Sequence, residues 1–145
     1  MSQISFLSDQ YKQIATTSDK INNSVITLKK KCLIDERGAD HPSVKVSNED
    51  VEEAYSVLLP FLESVNSALT GNTQESLFLP SLVFEDYKNK LSSNQFLQDD
   101  IKYLIERLRS KHSLEPRNIT TLDELLGVLD TERSTLFRKL RKARG

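Results

Sequence analysis

The chain has 145 residues, 37% of them hydrophobic and 28% charged, with four glycines, four prolines, one cysteine and a net charge of −1. That suits one helix-rich globular domain, or a small domain with an appendage, and argues against a sheet-and-turn fold. A lone Cys32 excludes an internal disulfide framework and suits a reducing compartment. No apolar run reaches membrane-spanning length and the N-terminus lacks a signal-peptide layout, so the expected location is the cytoplasm, away from membranes.

The first expected element runs from the N-terminus to Cys32. Ile4, Leu7, Tyr11, Ile14, Ile21, Val25, Leu28 and Cys32 follow alternating steps of three and four, with Ser18 at the missing position. This is a heptad seam with a polar interruption, and the weak helix formers Thr16, Thr17 and Ser18 make the interruption a candidate break. A seam of this length needs a partner, either another helix of the chain or a second copy.

Residues 35–47 read as a connection punctuated by Gly38, Asp40 and Pro42. Ser47 stands as the N-cap of a second helix, with Asp50 completing an approximate capping box. Val51, Tyr55, Leu58, Leu62, Val65 and Leu69 carry its apolar stripe, Pro60 should kink it, and Gly71 should stop it. Matching stripes joined by a short connection predict an antiparallel hairpin. After a polar loop at Gly71–Ser76, Leu77–Leu79 suit an extended segment, and Val83, Tyr87 and Leu91 a short helix starting after Pro80. Leu97, Ile101, Leu104, Ile105 and Leu108 then mark a firm helix ending near Lys111.

The catalytic inventory is thin. His41 and His112 have no companion at metal-ligand spacing, the glycines are scattered, and Cys32 sits at a seam position. Arg107 and His112 have the Arg-x4-His spacing, which resembles the signature of HEPN-type helical ribonucleases, where such pairs act on a phosphodiester across a dimer. Leu108 follows the arginine where that family carries a polar residue. Ordinary cations at a helix C-terminus explain the pair more simply. The chain is therefore expected to be a non-enzyme without cofactor or metal.

The final sixteen residues, "DTERSTLFRKLRKARG", hold six basic and two acidic side chains, a charge of +4 that leaves −5 on the rest. A basic terminus on an acidic body points to a localised electrostatic task. Upstream, Leu122, Leu125, Leu126 and Leu129 fit the buried face of a short helix capped by Thr120 or Thr121. A second helix is expected from Glu132, with Leu136, Leu140 and Ala143 on its apolar edge and Ser134, Arg138, Arg141 and Lys142 opposite. A propping helix, a tight connection and a helix with a basic outer face suit the major groove.

The stretch "LDTERSTLFRKLRK" resembles the end of the Fis-type helix-turn-helix, whose pattern runs roughly Leu-Gly-Ile-Ser-Arg-Thr-Thr-Leu-Tyr-Arg-Lys-Leu-Lys-Lys. Leu129, Arg133, Thr135, Leu136, Arg138, Lys139, Leu140 and Lys142 agree by identity. Winged helix-turn-helix proteins share a looser version reaching back through Thr121–Leu125, although no wing is expected after Gly145. The resemblance implies that Arg133, Ser134 and Thr135 begin a recognition helix facing DNA, with Arg138, Arg141 and Lys142 along the backbone. Asp130, Thr131 and Glu132 depart from it, standing where the family has the turn glycine, an apolar anchor and an uncharged residue.

The expected fold is thus all-α: an antiparallel helical hairpin or bundle over residues 1–92, used as core or dimerisation surface, and a helix-turn-helix region over 93–145. The leading functional expectation is a DNA-binding regulator or accessory factor, acting as a dimer, with Arg133, Ser134, Thr135, Arg138, Arg141 and Lys142 at the DNA. Removing residues 131–145 should then spare the rest of the fold. The alternative is a protein-interaction subunit, an adaptor or inhibitor, whose seams bind a partner helix and whose basic end docks on an acidic protein surface.

Overall fold

The computed structural model describes residues 3–37, 47–71, 78–112 and 114–145, with the side chains of 32–37 outside the description. Five helices occupy them: α1 (Gln3–Arg37), α2 (Asn48–Leu69), α3 (Ser81–Ser92), α4 (Gln95–Arg109) and α5 (Pro116–Arg144). There is no strand among the described residues. The all-α expectation holds.

α1 runs without a break through Thr16–Ser18. The heptad seam explains why, since Leu7, Ile14, Ile21, Val25 and Leu28 are all buried in one core. Ser18 is buried with them and donates from its hydroxyl to Asp130 Oδ1 at 3.1 Å, so the polar interruption is a satisfied hydrogen bond. The Cys32 side chain, His41 and the connection around Pro42 lie outside what the structure describes.

Ser47 caps α2, its hydroxyl accepting from the Asp50 amide at 3.1 Å, and Gly71 beyond the far end takes a φ of +79° that suits glycine. The buried face is Ala54, Leu58, Phe61, Leu62, Val65 and Ala68, a wider stripe than the heptad reading, with Val51, Tyr55 and Leu69 only partly covered at its edge. α3 follows Pro80 and buries Val83, Phe84, Tyr87 and Leu91. α4 buries Leu97, Ile101, Leu104, Ile105 and Leu108, the stripe read from the sequence, and Asn94 caps it through the Leu97 amide.

The C-terminal segment differs from expectation. There is no turn near Asp130–Glu132: Pro116 to Arg144 is one helix. It starts at Glu115 and Asn118 in a reciprocal capping box, while Thr120 and Thr121 lie inside it and donate back to the carbonyls of Pro116 and Arg117. The tight connection expected here lacks the glycine that takes a left-handed turn most readily, because Asp130 stands at that position of the resembled pattern. The apolar stripe also continues through the junction. Leu125, Leu129, Glu132, Leu136 and Leu140 fall at steps of three and four and are all buried, so a helix kept in register covers each of them.

α5 packs antiparallel to α1, and this is the most extensive helix contact. Lys29 meets Asp123 at 2.8 Å, Ser18 meets Asp130, and the Tyr11 ring meets the Phe137 ring at 5.6 Å between centroids. α2 covers a second side of α1, and α3 and α4 close the bundle against α2 and α5. The α1 seam therefore finds its partner within the chain from Leu7 to Leu28. Residues beyond Asp130 are likewise part of the common core, through Leu136 and Leu140, so deleting 131–145 would strip apolar cover from α1.

Candidate nucleic-acid interface

The C-terminal half of α5 has two unlike sides. Leu129, Glu132, Leu136 and Leu140 face the bundle, and Ala143 is partly covered beside them. Ser134, Phe137, Arg138, Lys139, Arg141, Lys142 and Arg144 are exposed. At about 100° per residue, the outer side chains sweep the surface from Phe137 and Arg144 through Arg141, Ser134, Arg138 and Lys142 to Lys139.

Among the described residues, no carboxylate lies within 4.0 Å of Arg138, Lys139, Arg141, Lys142 or Arg144. Several other cations of the bundle are paired: Arg109 with Glu63, Lys111 with Glu52, Arg117 with Asp100 and Lys90 with Glu132. The last two turns thus concentrate positive charge with no carboxylate at ion-pair distance among the described residues. Part of it complements the negative end of the α5 dipole, which acts over the final turn only. Arg138, about two turns from the end, lies outside that reach.

Of the six residues expected at DNA, four stand on the open face: Ser134, Arg138, Arg141 and Lys142. Thr135 is half-buried, donates to the Thr131 carbonyl at 3.0 Å and receives a long contact from Arg138. Arg133 is committed elsewhere. Its guanidinium sits 3.3 Å from Asp19 and 5.9 Å above the Tyr11 ring, so α1 holds it. A hydrogen bond to Tyr11, with the Asp19 charge adding, keeps its pKa above the usual arginine value. It is badly placed to read a base edge.

Four side chains at this face were outside the site expected from the sequence. Phe137 is 42% exposed amid the cations, with Arg141 over its ring at 6.0 Å. Its local signal was plain: an aromatic on the polar side of an amphipathic helix. Tyr11 gave no local signal, because only the α1–α5 packing brings it beneath Arg133 and against Phe137. Lys139 and Arg144 extend the basic face, and their charge was already visible in the sequence.

Arg107 and His112 are joined through the backbone, the His112 amide donating to the Arg107 carbonyl at 3.0 Å. Arg107 donates to the Tyr103 hydroxyl at 2.8 Å, lies over that ring and sits 3.7 Å from Glu115, while His112 is exposed beyond the end of α4. No three His, Cys, Asp or Glu side chains among the described residues are grouped to hold a metal ion. No helix there is long and apolar enough to cross a membrane. The chain matches no family model, no curated protein and no solved structure.

Proposed function

We propose that this protein is a non-enzymatic DNA-binding protein that docks the exposed face of the C-terminal half of α5 on the phosphate backbone. The observation that carries this reading is the run of five cations within seven residues, Arg138, Lys139, Arg141, Lys142 and Arg144, none with a carboxylate partner among the described residues. Phosphates are the ligand for such a face, since each neutralised one releases condensed counterions. The unbroken α5 and the tethered Arg133 change the mode from the one implied by the helix-turn-helix resemblance. Contact is to the backbone, with little direct reading of base edges.

Salt-dependent anisotropy on a labelled duplex of arbitrary sequence tests this. Binding should weaken linearly in log–log form as salt rises, with a slope of about −2.7 to −3.6 if three or four phosphates are neutralised. The triple substitution Arg138→Glu, Arg141→Glu, Lys142→Glu should abolish binding and leave the far-ultraviolet circular dichroism unchanged. Undiminished duplex binding by that variant would sink the proposal, as would a wild-type protein indifferent to duplex at low salt.

A further inference from the structure

The aromatic pair at this face has no use in backbone docking. A duplex presents phosphates outward and hides the faces of its bases, so an exposed phenyl ring amid the contacting cations gains nothing from it. Single strands differ: their bases offer free π-faces, and binding sites for them combine cations with aromatic rings.

We infer that the α5 face binds single-stranded nucleic acid in preference to duplex, with the Phe137 ring as the platform on which one unpaired base stacks. This rests on the nucleic-acid reading above and names the ligand of the same site. Four side chains alternate along the surface: Arg133 over Tyr11 at 5.9 Å, Tyr11 against Phe137 at 5.6 Å with the rings tilted by 47°, and Arg141 over Phe137 at 6.0 Å. The inner half is backed by the bundle, because Tyr11 is partly buried against the core and Arg133 lies over its ring. A ring backed this way loses little freedom when a base settles on it. The outer half is open. Arg141 is exposed and has no carboxylate partner among the described residues, so a base can displace it from the ring onto the adjoining phosphate. Arg144 lies on the same flank of α5 and Arg138 beyond Arg141, which places cations on both sides of the stacking ring.

A plain structural role for Phe137, as a lid over Tyr11, predicts that any apolar side chain of similar size would serve. Stacking requires the ring. The test is anisotropy on a labelled oligothymidylate of about 20 nucleotides and on a duplex of equal length at the same salt. The proteins compared are wild type, Phe137→Leu, Phe137→Trp and the triple charge reversal.

Wild type should favour the single strand. Phe137→Leu should lose single-strand affinity on the order of tenfold while duplex affinity barely moves, and Phe137→Trp should retain it. The chain has no tryptophan, so the introduced indole reports alone, and its emission should be quenched by oligothymidylate. Equal losses on both ligands for Phe137→Leu, no loss at all, or an unquenched indole would overturn the inference. The two readings fail separately. If charge reversal abolishes binding but Phe137→Leu is silent, only stacking is wrong; if charge reversal is also silent, or wild type binds neither ligand, the nucleic-acid reading falls and takes this one with it.

Discussion

Glu132 and Lys90 form an ion pair in which the carboxylate is sealed, its side chain 2% exposed, while the lysine stem reaches it from α3 and remains 47% exposed. The pair joins α3 and α5 at the position where the sequence pattern leads to the expectation of a turn. Such a pair is lopsided in energy, because removing the wet partner strands a buried charge, whereas removing the buried one leaves an ordinary surface lysine. Lys90→Ala should therefore cost about 2 kcal/mol, below the usual range for fully buried pairs because water reaches the lysine side. Glu132→Leu should cost less than about 1 kcal/mol. Denaturant midpoints for both variants check the order, and a larger loss for Glu132→Leu would contradict it.

Gly127 lies in the exposed middle of α5, and a Cβ added there meets nothing within 4 Å. Glycine inside a helix is worse than alanine by about 1 kcal/mol, through the backbone entropy it must surrender. Gly127→Ala should raise the melting temperature by roughly 3 °C. Thr131→Pro, by contrast, should cost about 3 kcal/mol or more by breaking the helix. A segment that turned near Asp130 would tolerate the proline, so thermal melts of the two variants discriminate a continuous α5 from two helices.

How much of this was legible follows from where the partners lie. The stripe of α4 and the caps at Ser47 and Gly71 could be read because their causes are local: periodicity, a hydroxyl three residues from an amide, a residue at ease with positive φ. Ser18 and Glu132 misled for one shared reason. Each is a polar residue at a stripe position, which reads as an interruption, yet each is buried on a partner far along the chain, Asp130 and Lys90 respectively. The same limit applies to the candidate site. Its cations could be counted in the sequence, but the commitment of Arg133 and the platform under Phe137 both depend on α1, more than a hundred residues earlier.

Arg133 should behave as a structural residue. Its pair with Asp19 is partly exposed and worth little, and its position over Tyr11 adds a modest cation–π term, so Arg133→Ala should destabilise by about 1 kcal/mol. Among the described residues Arg138 bonds within its own helix turn, to Thr135 at 3.4 Å, so Arg138→Ala should leave stability unchanged. Duplex binding should rank the opposite way, with Arg138→Ala the more damaging. Measuring both properties on both variants is decisive: an Arg133 variant with native stability and abolished binding would restore it as a contact residue.

Tyr87 carries the clearest pH dependence. Its hydroxyl donates to the Leu125 carbonyl at 3.3 Å in a fully buried setting, and burial, with the nearby Glu132 charge adding, pushes its pKa well above the ordinary value of 10.0. The folded state therefore prefers the neutral phenol. Because the folded pKa is raised, this contribution is fully present below about pH 10 and is lost as pH climbs from there towards the folded value. Tyr87 should stay un-ionised until the bundle opens. Phenolate absorbance of wild type minus that of Tyr87→Phe isolates its step, which should coincide with loss of helical circular dichroism on alkaline titration. Tyr87→Phe should also lose stability less steeply in that range, having no phenol to ionise. Ionisation of Tyr87 near its ordinary pKa with the helices intact would mean that water reaches the α3–α5 contact.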